Sequence, residues 1–230
     1  MSRIKRVGVV SASVLAMLAF AYSVFLSAIV TDAAAQDTST PEASPGASPA
    51  AEAAFTLTID ATQSFARYVA QEELEGVGDN EVVGETQAIQ GTLLFDENWL
   101  PIAGSRVDVD MRTLVTDEAR RDNYLYDNVL ETGEFPLATF IVTGIEGLDS
   151  GLVDGQETTF TLVGDLTLHG VTNEAKWEVT ATLNGDTVTG SASTSFELQN
   201  YDMEKPIIGP VISIEDVIVL QMDVIAVPTA

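Results

Sequence analysis

The chain contains no cysteine. Disulfides, zinc–thiolate centres, c-type haem attachment, a thiol nucleophile and a lipidated cysteine at a leader boundary are all excluded by that absence. There is one histidine, His169, too few for an imidazole-based metal site. Basic residues are scarce, ten against 35 acids, and the formal net charge is −25. Three of the ten (Arg3, Lys5, Arg6) fall in the first six positions and no acid precedes Asp32, so the rest of the chain sets seven bases against 35 acids, or −28. Such a surface repels phosphate backbones and anionic headgroups. No nucleic-acid partner is expected, and the charge reads as a solubility device. Proline is missing between Pro136 and Pro206, which suits an uninterrupted sheet.

What is present divides into three parts. Residues 1–6, MSRIKR, are basic, and Val7 to Val30 follow without a charge. A basic head, an apolar stretch and the small residues Ala33-Ala34-Ala35 read as an export leader over residues 1–35. The apolar stretch has 24 residues, longer than the ~7–15 of cleaved leaders and enough to span a bilayer. Cleavage and retention as an N-in anchor both stay open, and either places the remainder outside the cytoplasm. Residues 36–54, QDTSTPEASPGASPAAEAA, form a Pro/Ala/Ser/Thr linker with too little apolar surface to fold. Residues 55–230 are the folded domain, long enough for one sizeable core at 46% hydrophobic content overall.

Period-two alternation dominates that domain. Phe55, Leu57 and Ile59 alternate with polar neighbours, as do Val107, Val109 and Met111, then Phe160, Leu162, Leu166 and Leu168, then Trp177, Val179, Ala181 and Leu183. Period two means one dry and one wet face on each strand. Asn184-Gly185-Asp186 between two such runs is a strong hairpin signal. Glu72–Glu81 is acidic and Gly-rich and reads as loop; Thr116–Leu130 lacks alternation and opens on Thr, Asp and Glu, a helix start. The fold class expected is mainly β, about eight antiparallel strands in a sandwich or barrel with a short helical crossover.

Two groups of residues carry a resemblance. Gly164-Asp165-Leu166-Thr167-Leu168-His169-Gly170-Val171-Thr172 is one; Thr113-Leu114-Val115-Thr116, Arg121-Asp122, Leu125, Phe135-Pro136 and Thr139-Phe140 are the other. With Leu57-Thr58-Ile59-Asp60 they make residues 55–227 similar to the YceI-like family. Three departures stand out: Gln63-Ser64 where members often carry His-Ser, Tyr124 where a His often follows Arg-Asp, and Gln199–Met203 in place of an Arg-Ser-x-Phe-Gly element. The resemblance implies an extended lipocalin-like antiparallel barrel holding an isoprenoid or other long-chain apolar lipid, without a cofactor. The inward-facing candidates are Leu57, Ile59, Val107, Val109, Phe140, Val142, Leu162, Leu166, Trp177 and Val179. Alternation alone is blind to cavities, so from periodicity these residues equally fill a solid core.

Catalytic chemistry is thin. His169 sits in a turn without a nucleophile-elbow pattern, and a turn histidine bonded to backbone is the simpler reading. Asp108 and Asp110 share a strand face; Asp149, Asp154 and Glu157, and Glu72, Glu73 and Glu75, cluster without calcium-loop spacing. Arg120-Arg121 stand out among so few bases: either they form ion pairs with nearby acids, or they grip a polar head group at a barrel rim. No enzyme activity and no metal are expected. The sequence thus points first to an exported lipid carrier, and second to a membrane-tethered interaction or structural domain without a small ligand. The resemblance hints at a homodimer, which the −28 charge opposes.

Overall fold

The computed structural model describes residues 52–206 and 209–229. The leader expected over 1–35 and all of the linker but residues 52–54 lie outside them.

Among the described residues the chain forms eleven strands and one α-helix. The strands are β1 (Phe55–Ile59), β2 (Phe65–Leu74), β3 (Gly78–Thr86), β4 (Ile89–Phe95), β5 (Arg106–Asp110), β6 (Leu137–Glu146), β7 (Glu157–Leu168), β8 (Val171–Asn184), β9 (Thr187–Glu197), β10 (Val211–Ile214) and β11 (Val217–Pro228); the helix α1 is Ala119–Asn128. The order β1-β4-β5-β6-β7-β8-β9-β11 closes on itself through β11 and β1, every pair antiparallel. This is a closed eight-stranded barrel. The count of eleven arises because three staves are broken. β1 and β2 run end to end along β11, Ile59 opposite Ala226 and Phe65 opposite Asp223. β10 and β11 run end to end along β2, and only Gln87 and Ala88 separate β3 from β4. The first break is built locally: Asp60 Oδ1 accepts from the Thr62 N–H at 2.9 Å and its hydroxyl at 2.7 Å, an Asx turn.

The registers also orient the barrel. Phe55, Phe95 and the β8–β9 turn lie at one end. α1, the β7–β8 turn, β10 and the β2–β3 hairpin lie at the other. Alternation is obeyed closely: on β8, Trp177, Val179, Ala181 and Leu183 are buried while Glu178 is exposed.

Two readings need correction. Glu72–Glu81 is not a loop: β2 and β3 pair through Glu72↔Asn80 and Glu73↔Asp79, leaving only Glu75–Val77 as the turn. Charge is tolerated there because Glu73 and Asp79 face water and the buried Glu72 is ion-paired. The helix starts at Ala119, not Thr116. Glu118 caps it by accepting from the Arg120 N–H at 3.1 Å, while Thr116 donates its hydroxyl to the buried Asp122 at 2.6 Å.

One glycine is a packing device. Gly164 on β7 is buried, and a Cβ there would clash with the Ile141 carbonyl oxygen of β6 and lie 2.7 Å from the Phe140 ring. Gly164→Ala is expected to destabilise the protein by about 1–3 kcal/mol through overpacking, read as a lower urea midpoint; an unchanged midpoint would show that β6 shifts away from β7 there at no cost.

Candidate functional site

The barrel interior is not filled. Three cavities follow one another along its axis. The outer chamber, of about 380 Å³, lies at the α1 end, between β2, α1, Phe135 and the β10–β11 strand. A middle chamber of about 60 Å³ and an inner one of about 90 Å³ lie deeper. Tyr68, Met111, Leu114, Leu168 and Leu220 border both outer and middle chambers. Val107, Phe140, Trp177 and Met222 border both middle and inner ones. Phe140 and Trp177 form the divider, their rings tilted with centroids 5.7 Å apart.

The sequence-predicted residues are distributed unevenly over these spaces. Val109 and Leu166 line the middle chamber; Ile59, Val142, Leu162 and Val179 line the inner; Val107, Phe140 and Trp177 line both. Leu57 is buried but borders none of the three. None of the ten apolar candidates reaches the outer chamber; of the residues proposed to meet a ligand, Arg120 and Arg121 do. The largest of the three chambers is instead walled by residues outside the ligand-binding set, among them Tyr68, Leu74, Val129 and Ile218, together with Leu125 and Phe135, which carried only the family resemblance. Leu125 and Val129 are four apart on α1 and its last turn, the one periodic signal that could have found this wall.

The two arginines separate into different roles. Arg121 is largely buried. Its Nη2 donates to Glu72 Oε1 at 3.2 Å and its Nη1 to Asp117 Oδ1 at 2.6 Å. Glu72, 3% exposed at its side chain, also accepts from Asn80 Nδ2 at 2.9 Å. Arg121 therefore braces α1 against β2. Arg120 is exposed at the chamber rim, against Gly209, and has no carboxylate partner among the described residues.

His169 has a positive φ of 49°, as does Gly170 (74°), in the β7–β8 turn. Left-handed backbone is costly for a non-glycine residue, and the ring is held from three directions. Nε2 lies 2.7 Å from Glu131 Oε2, Nδ1 lies 3.2 Å from the Tyr201 carbonyl, and Phe135 meets the ring edge-on at 4.7 Å. The histidine clasps the crossover to the barrel end. Asp108 and Asp110 do not act as a pair. Burial opposes ionisation of Asp108, but hydrogen bonds from Arg106 and Thr139 outweigh it and hold its carboxyl below the usual range. The hydrogen bond from Arg112 does the same for Asp110. No group of three or more acids and histidines suited to a metal ion occurs among the described residues.

Two buried donors have no acceptor among the described residues, Tyr68 Oη and Trp177 Nε1. Burial pushes the Tyr68 hydroxyl well above the ordinary tyrosine value of 10.0, because the phenolate would be poorly solvated there.

A closed eight-stranded antiparallel barrel, roofed by one short helix over a chambered apolar interior, places the molecule among the lipocalin-like barrels. Residues 57–226 match the YceI-like domain, and the chain belongs to that family. Protein YceI of Escherichia coli O157:H7 is 30% identical over 127 residues, 55% of this chain and 62% of that protein. The UPF0312 protein VVA0736 of Vibrio vulnificus is 31% identical over 97 residues, 42% of this chain and 48% of that protein. The chain thus spans less than two thirds of the length of these curated relatives. Among solved structures, a polyisoprenoid binding domain from Saccharophagus degradans superposes with a TM-score of 0.61 at 16% identity, over 76% of this chain and 99% of that one. Burkholderia cenocepacia BcnA superposes with 0.55 at 16% identity, over 73% and 98%. These two share the fold.

Arg121→Ala leaves the buried Glu72 carboxylate with Asn80 alone and is expected to cost about 3 kcal/mol or more in denaturant unfolding. Arg120→Ala is expected to change stability by less than about 0.5 kcal/mol. At high pH a separate effect follows from Tyr68. The unfolded chain releases this proton near pH 10 while the folded protein keeps it, so stability falls as pH rises above 10. Tyr68→Phe should flatten that alkaline limb, which thermal unfolding across pH 9–11 would measure.

Proposed function

We propose that this protein is an exported, non-enzymatic carrier that holds a long apolar molecule of polyisoprenoid type inside its barrel. The observation that carries the reading is the outer chamber with two apolar chambers in line behind it. The family membership supports it, as does the polyisoprenoid-binding neighbour of the same fold. An apolar chain needs a mostly apolar wall, and both deeper chambers offer one, broken where the unpartnered Tyr68 Oη and Trp177 Nε1 stand. At roughly 30 Å³ per non-hydrogen atom, the volume share of a water in the liquid, the outer chamber takes about a dozen atoms. Burying that many carbons gains on the order of 10 kcal/mol at ~0.8 kcal/mol each. Association itself costs about 4–15 kcal/mol. A chain confined to the outer chamber would therefore bind weakly, and the deeper chambers supply the surplus.

At the rim, Arg120, without a carboxylate partner among the described residues, meets an anionic head group such as a lipid phosphate by bidentate hydrogen bonds; Arg121 contributes its field to that end of the chamber but is committed to Glu72 and Asp117. The leader over residues 1–35 directs the domain outside the cytoplasm, either released or held at the membrane by residues 7–30. With −28 beyond the first six residues, self-association is opposed at low salt.

A second reading rests on a specific feature. β8 and β9 pair only up to Glu178↔Ser193; beyond that they splay, leaving a hollow of about 790 Å³ bordered by Asn173, Lys176 and Ser195. Its mixed polar lining suits a protein partner rather than an alkyl chain, and it would serve a tethered interaction domain. The apolar chambers rank the carrier first.

Native mass spectrometry of the protein exported from a bacterial host, with organic extraction of the same sample, tests the choice. Retention of an extractable prenyl-type mass is expected. A bare mass that stays bare after incubation with prenyl lipids would remove the carrier reading. Arg120→Ala should lower affinity for a prenyl phosphate severalfold and leave a prenyl alcohol unaffected; equal loss for both would remove the rim role.

A further inference from the structure

Tyr68 occupies a prepared position. It lies on β2 directly opposite Gly84 of β3, and a Cβ at Gly84 would overlap the Tyr68 ring. A glycine within a strand is a local weakness, and here it makes room for an aromatic ring at the step between the outer and middle chambers. Phenylalanine would fill the same space. The hydroxyl is nevertheless present, buried and unpartnered among the described residues. An unpartnered buried hydroxyl is unfavourable, and an acceptor brought from outside the chain would relieve it.

The neighbouring polar groups are already engaged. Arg121, Glu72, Asp122 and Tyr126 are the groups close enough to act on Tyr68 electrostatically. Arg121 is spent on Glu72 and Asp117, Glu72 on Arg121 and Asn80, and Asp122 on the Thr116 hydroxyl and N–H. Tyr126 donates its hydroxyl to the Leu114 carbonyl. Burial keeps the Tyr68 proton in place, so the group is a donor throughout the ordinary pH range. Trp177, also unpartnered, stands one chamber deeper and is donor-only. Among the described residues the lumen thus holds two unpartnered donors in line.

We propose that the Tyr68 hydroxyl donates to an oxygen carried by the bound molecule, so that the barrel selects oxygenated apolar chains (ketones, alcohols, quinone-type carbonyls) over bare hydrocarbons. The inference rests on the carrier reading and adds ligand class and depth: the oxygen stops at the step between outer and middle chambers, and an apolar portion continues toward Trp177.

The test is a titration of the exported protein and its Tyr68→Phe variant with two probes, farnesylacetone and its deoxygenated hydrocarbon counterpart, followed by native mass spectrometry. The wild-type protein should prefer the ketone roughly fivefold to tenfold, the scale of one net hydrogen bond. Tyr68→Phe should erase the preference by weakening the ketone alone. Equal affinities in the wild-type protein would mean that the hydroxyl faces water, overturning the inference while the carrier reading stands. Equal loss of both probes in the variant would overturn it too, as a packing effect. If the wild-type protein binds neither probe, both the inference and the carrier reading fall.

Discussion

β11 pairs with β9 along Val217–Ala226 on one edge, and with β2 and then β1 on the other. That double engagement turns a twisted sheet into a tube, and everything else depends on it. Closure gives each of the eight ring strands a partner on both sides and leaves, among the described strands, only β3 and β10 with a single strand partner and an open edge. It also forces every second side chain of eight staves into one enclosed volume. A strand that serves two partners in succession must change neighbour partway, and it does so where Asp60–Ser64 bulges out between β1 and β2. The barrel therefore has two zones. The zone around β1 and β4 is tight and ends in the stacked rings of Phe55 and Trp99, 4.2 Å apart. The zone around β2 and β3 is wider and is roofed by α1 instead of by strand pairing.

The wide zone adds polar contacts to its packing. Glu72 and Arg121 join β2 to α1, His169 joins the β7–β8 turn to Glu131 and Tyr201, and Asp122 ties the helix to Thr116. Such pairs contribute little net stability compared with apolar contacts, but they fix geometry where apolar side chains are needed for another purpose. If Leu125, Val129 and Phe135 packed solidly against β2, the roof would be firmer and the chamber gone. Bridging the end with ion pairs leaves those apolar side chains facing the cavity.

The sequence made one zone readable and obscured the other. Phe140, Val142, Trp177 and Val179 alternate cleanly along their own strands, and they border the two deep chambers. Alternation does not report cavity size, so it could not show that these are the smaller spaces, nor that Leu57 packs into solid core. The outer chamber was hidden by charge. Glu72, Glu73 and Glu75 made the β2–β3 hairpin resemble a loop, although a strand accepts an outward acid freely and an inward one when a guanidinium meets it. Arg120 and Arg121 were inseparable in sequence. One helical step, about 100° of rotation, sends Arg121 into the wall and Arg120 to the rim. The orphaned hydroxyl of Tyr68 had no sequence signal, since it arises from what its neighbours bond to instead.

The central claim is that an apolar chain resides in the chamber between β2, α1 and the β10–β11 strand. Photolysis of the protein with a diazirine-bearing prenyl alcohol, followed by peptide sequencing of the labelled sites, tests it most directly. The account predicts labels on chamber walls such as Leu74, Leu125, Phe135 and Ile218. Labels confined to exposed apolar residues on the barrel exterior, such as Ile141 and Val153, would contradict it.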